Sequence, residues 1–131
     1  MAYDLIIENG SQPVQITLAA AAKVGQLLGY SSGWKLSNAA TGTAIAAELI
    51  AGQSGAIGDV ITAYRRCTLW DRDAPFTAGA LYYVDEAAGP GGIVTAMPTT
   101  TGDIQQCVGI AVSTERVLAD LHFGYGIRKI A

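Results

Sequence analysis

Apolar residues in this chain fall in short runs of alternating faces cut by glycine, and no stretch sustains the 3.6-residue period of an amphipathic helix. This pattern restricts the fold more than any other feature. About nine short strands punctuated by turns have to cover one another in a sandwich or a small barrel. With 131 residues the chain is long enough for one domain with one core. The expectation is an all-β fold: a single compact β-barrel or sandwich-like domain. Residues 1–22 are read as an N-terminal strand or arm and hairpin, and residues 23–131 as the β body.

The individual runs give this reading its detail. In YDLIIENGSQPVQITLA, Tyr3, Leu5 and Ile7 alternate with Asp4, Ile6 and Glu8, and Val14, Ile16 and Leu18 alternate with Gln15 and Thr17. Asn9-Gly10 between them predicts a tight reversal. Pro13 removes a ladder donor, so the second run starts after it or lies at an edge. The first run serves equally well as an extended arm that pairs with a neighbouring chain. Gly25 interrupts the alanine run at 19–22, which leaves a turn and then a strand around Gln26 to Tyr30. GWKLSNAATGTAIAAELIAG reads as strand, turn and strand with Thr41-Gly42 in the turn, or with Ala44 to Ala51 as one helical segment. Residues 60–70 read as one strand whose Ile61, Ala63, Cys67 and Leu69 face is buried, with Arg65 as its exception. ALYYVDEAAGPGGIVTAM (80–97) is a glycine-turned hairpin whose adjacent Tyr82 and Tyr83 point to opposite sides. At the end, two strands join at Ser113 to Arg116, and Val117, Ala119, Leu121 and Phe123 share a face opposite Asp120 and His122.

Chemical motifs are sparse. Gly29-Tyr30-Ser31-Ser32-Gly33 fits the G-x-S-x-G nucleophile elbow, but the next residues, WKLSNAATG, are turn-like and strand-like rather than helical, so a hairpin turn is the better reading. His122 is the only histidine and shares a polar outer face with Asp120. Asp71-Arg72-Asp73 offers oxygens to a cation, yet no further ligands stand at EF-hand spacing, and these acids are read as solvated turn residues along with Asp85-Glu86. The glycines at 52, 55 and 58 lack dinucleotide spacing, and no Walker-type lysine motif exists. Asn9-Gly10-Ser11 matches a glycosylation acceptor and is read as a turn. Cys67 and Cys107 fit no metal or redox spacing and are expected as thiols in strands, with a disulfide between them left open. No catalytic set, metal or cofactor is expected.

The net charge of −3 and the scattered basic residues argue against a nucleic-acid partner. MAYDLIIENG lacks a basic n-region and is not read as a secretion signal, and no apolar run approaches the ~20 residues needed to span a bilayer. Only 15% of residues are charged. That fits a compact Ala/Gly/Thr-rich β domain, or a surface partly covered by other subunits, since interface centres are depleted in charge. Tyr3, Leu5 and Ile7 are the candidate arm anchors, and Trp34, Arg65, Trp70 and Tyr82 the candidate contacts to other subunits.

From about Val24 to Phe123 the order of features resembles small tailed-phage capsid decoration (cement) proteins. The residues that carry the resemblance are Gly79, Leu81, Tyr82, Gly92, Ile93 and Thr95 in the hairpin, then Val108, Gly109, Ile110 and Ala111 in the strand behind it. The N-terminal AYDLIIENGSQPVQ and C-terminal GYGIRKIA depart from that pattern. The resemblance implies a compact β-barrel or β-tulip and a non-enzymatic virion protein made in the host cytoplasm. It would act as a homotrimer on the outer capsid, clamping neighbouring major capsid proteins. A head-fibre, tail or receptor-binding module is the rival expectation, and a small hydrolase using Ser31 or Ser32 with His122 a remote one.

Overall fold

The computed structural model describes residues 5–85, 91–121 and 127–129, the last three for their backbone alone. Among the described residues there is no helix. Strands run in the order β1 (Ile6–Ser11), β2 (Val14–Thr17), β3 (Leu27–Tyr30), β4 (Trp34–Leu36), β5 (Leu49–Ala51) and β6 (Val60–Tyr64). They continue with β7 (Arg66–Trp70), β8 (Leu81–Val84), β9 (Ile93–Val94), β10 (Ile104–Ala111), β11 (Arg116–Asp120) and β12 (Ile127–Lys129). Two antiparallel sheets result. The larger runs β1-β7-β11-β10-β8-β9, with β12 also on β10, and the smaller runs β2-β6-β5-β3-β4. The chain is all-β and, of the forms expected, the sandwich fits. A parallel bridge from Leu18 to Trp34 draws the two edges of the smaller sheet together at one end, but no barrel closes.

Residues 60–70 are not one strand. At Arg65 the chain leaves the smaller sheet as β6 and enters the larger as β7. Beside it β1 and β2 make the same crossing, with Ser11 opposite Arg66 in one sheet and Val14 opposite Ala63 in the other. Two strands that switch sheets together form a sandwich corner. Arg65 interrupts the apolar face because it sits at that corner, where its guanidinium lies 3.9 Å from Asp120. The hairpin expected at Asn9-Gly10 is also absent. Asn9, at φ 52°, lies within a bulge of β1 between Glu8 and Ser11, and the chain turns at Gln12-Pro13 instead. Residues 6–11 are therefore a strand of the chain's own sheet rather than a projecting arm.

There are two cores where the sequence suggested one. Between the sheets lie Leu5, Leu27, Ile50, Cys67, Leu69, Phe76, Tyr82, Val84, Val108, Val117, Ala119 and Leu121, among others. Within the curl of the smaller sheet lie Ile16, Leu18, Leu28, Leu49, Ala51, Ile61 and Ala63, with Trp34 and Leu36 against them. β3 and β5 feed both cores, Leu27 and Ile50 to one and Leu28, Leu49 and Ala51 to the other. Strands buried on both faces lose the period of two, which is why residues 44–51 also read as a helix. Gly29 is required by the same crowding: a Cβ there would fall on the Ala46 carbonyl.

Buried polar side chains join the layers. Gln106 accepts from the Ala47 N–H at 2.8 Å and donates to the Ala47 carbonyl at 2.7 Å, so its amide substitutes for a strand partner. Asp103 accepts from the Thr41 N–H at 2.7 Å and the Thr41 hydroxyl at 2.6 Å.

Candidate functional site

The outer face of the larger sheet, turned away from the core, carries the most distinctive surface. Along β8, β10 and β11 the inward residues Tyr82, Ala111, Val117 and Ala119 alternate with outward Leu81, Ile110 and Leu118. Register places these three side by side, Leu81 opposite Ile110 and Ile110 opposite Leu118. They are 48%, 40% and 47% exposed, and Val112 just beyond is 54% exposed. Cross-strand neighbours at this spacing are in reach of one another, so the three form a continuous apolar stripe. Cys107, exposed and paired with Tyr83, lies on the same face.

The other half of that face is covered by its own side chains. Arg116 stands opposite Trp70, and Trp70 opposite Ile6. The guanidinium of Arg116 lies 4.9 Å from the centre of the Trp70 ring, and that of Arg72 lies 5.1 Å from it. Arg116 Nε also donates to Glu8 at 2.9 Å. This network clothes Trp70 in charge, and among the described residues nothing comparable covers the stripe. Fully burying these three side chains and Val112, each about half-exposed, would yield about 4 kcal/mol, taking half the full-burial value for each. A surface of this kind can dock a protein. Among the described residues, no three His, Cys, Asp or Glu come together as a metal site.

The sequence-derived contact residues do not converge. Tyr3 lies outside the described residues. Leu5 is buried in the chain's own core, with Ile7 packed against it, because β1 pairs with β7. Tyr82 is likewise core: its hydroxyl accepts from the Thr77 N–H at 2.9 Å and its ring meets Phe76 edge-on at 5.5 Å. Arg65 is at the corner, and Trp70 is under its arginines. Trp34, half-buried on the smaller sheet, meets the exposed ring of Tyr30 edge-on at 5.5 Å. No protein-family model, curated protein or solved structure matches this chain.

The remaining motifs resolve as turns or lie outside the described residues. Ser31, Ser32 and Gly33 turn β3 into β4, with Ser32 at φ 54°, so a strand rather than a helix comes after the serines. His122 lies outside the described residues. The 80–97 hairpin forms, with Val84 opposite Ile93. Gly91, at φ +80°, donates its N–H to the Ser37 carbonyl at 2.7 Å, while Leu27 N–H donates to the Gly91 carbonyl at 2.8 Å. The end of that glycine loop therefore stitches the larger sheet to the smaller. Residues 86–90 of the loop lie outside the described residues.

The stripe was missed because Leu81, Ile110 and Leu118 lie in three separate runs of the sequence and meet only through the register of β8, β10 and β11. The signal that marks it is apolar residues on both faces of three strands that turn out to be neighbours.

Proposed function

We propose that this chain is a structural virion protein that binds the outer surface of an assembled phage capsid and stabilises the contacts between its major capsid proteins. The apolar stripe of Leu81, Ile110 and Leu118 is the observation that carries the reading, because it offers an exposed apolar face on which another protein can dock. The low charged fraction and the resemblance of the 79–111 segment to decoration proteins support it. A ligand that binds only the assembled lattice stabilises that lattice by its binding free energy. We read the working unit as a homotrimer, with the major capsid protein as partner and no role for nucleic acid, membrane or cofactor.

The test is to add the protein to purified capsids that lack it and to image them. Density repeated over the shell, with capsids that withstand more heat, is expected. Absence from the shell, or density confined to a tail or fibre, contradicts the reading. The second outcome would favour a head-fibre or receptor-binding module, for which the exposed Tyr30 beside Trp34 is the favourable observation.

A further inference from the structure

Asn9-Gly10 stands in the bulge of β1 rather than in a hairpin turn. Glu8 pairs with Thr68 and Ser11 with Arg66, so Asn9 and Gly10 stand together opposite Cys67 of β7, without register partners of their own. A bulge of this kind disrupts the ladder locally. β1 is also the last strand of its sheet, held by β7 on one side only. Asn9 is exposed at φ 52°, and among the described residues no hydrogen bond holds its side-chain amide. Gly10 has no side chain to shield its backbone nitrogen. The other asparagine of the chain is placed differently. Asn38 Oδ1 accepts from Ala40 N–H at 2.9 Å, and Nδ2 donates to Thr43 Oγ1 at 3.3 Å. The backbone nitrogen after it, that of Ala39, donates to the Asp85 carbonyl at 3.0 Å.

We propose that Asn9 is a modification site, at which the folded protein converts asparagine to aspartate and isoaspartate through a cyclic imide. Solvent base takes the proton of Gly10 N–H, and that nitrogen forms a bond to Asn9 Cγ. The bond from Cγ to Nδ2 then breaks, and the nitrogen leaves as ammonia with a proton from solvent. Water opens the imide at one of its two carbonyls. Cleavage between Cγ and the Gly10 nitrogen gives aspartate; cleavage at the backbone carbonyl carbon gives isoaspartate. Both products add a negative charge next to Glu8, whose carboxylate already accepts from Arg116 at 2.9 Å. Aspartate tolerates the left-handed backbone of this position as asparagine does, so that product keeps the bulge. Isoaspartate lengthens the backbone by one carbon atom and should loosen β1 from β7. The inference does not depend on the capsid reading.

Peptide mapping by mass spectrometry, with separation of the aspartyl and isoaspartyl forms, tests this on native protein held in mildly alkaline buffer. Asn9 should convert at least about tenfold faster than Asn38, and within about tenfold of its own rate in the denatured chain, since an unpaired bulge at a sheet edge needs little local opening. Asn9→Gln, whose longer side chain closes the imide ring far more slowly, should remove most of the ammonia released. Asn9 that stays intact in the native protein while it converts in the denatured chain overturns the proposal. Conversion of Asn38 as fast as Asn9 overturns it too.

Discussion

Cys67 and Cys107 occupy opposite faces of one sheet, and their chemistry divides accordingly. Burial pushes the Cys67 thiol up to about 12, which leaves it protonated and shielded, while Cys107 is exposed. A maleimide should label Cys107 in the native protein and reach Cys67 only after unfolding. Mass spectrometry of the labelled chain checks this; two labels under native conditions would contradict it. Gly29 makes a second residue-scale prediction. Alanine there meets the Ala46 carbonyl and the Ile45 side chain, so Gly29→Ala should destabilise the fold by about 2 kcal/mol, measured by denaturant unfolding. At this scale the sequence was a partial guide. Adjacent Tyr82 and Tyr83 had to face opposite ways, but nothing local said that Phe76 and the Thr77 N–H would draw Tyr82 inward. Likewise Asp71 reads as a turn acid until the Glu115 carbonyl that anchors it comes from 44 residues away.

The strands themselves were largely legible, and their partners were not. Alternation marked β1, β2, β6, β7, β8 and β11 correctly as strands, because each has one face on a core and one toward solvent. It could not show that residues 60–70 change sheets at Arg65, since alternation continues through a corner. Nor could it separate two cores, because Leu27-Leu28 feeds both at once. The stripe obeys the same logic: only the register of β8, β10 and β11 assembles it. Its side chains are only half-buried and lie outside both cores, so Ile110→Asp and Leu118→Asp should each cost about 1 kcal/mol of monomer stability and leave the fold intact. Thermal unfolding of the isolated variants checks this. A large loss would mean that the stripe is part of the core and not a docking face.

For the whole molecule, the asymmetry of the larger sheet matters most. One half of its outer face is occupied by the Glu8, Arg116, Trp70 and Arg72 network, and the other half is bare among the described residues. A bare apolar half on an otherwise polar face is what a partner surface would cover. The all-β class could be read in advance, from glycine-cut runs without helical periodicity. The location of the proposed docking face could not, because it depends on which strands become neighbours. The central claim is that this half-face docks on the capsid, and co-sedimentation of the protein with purified capsids tests it most directly. Wild-type protein should sediment with capsids, and the Ile110→Asp/Leu118→Asp double variant should bind at least about a hundredfold more weakly, at ~1.4 kcal/mol per site. Equal binding of the folded double variant and the wild type would contradict it.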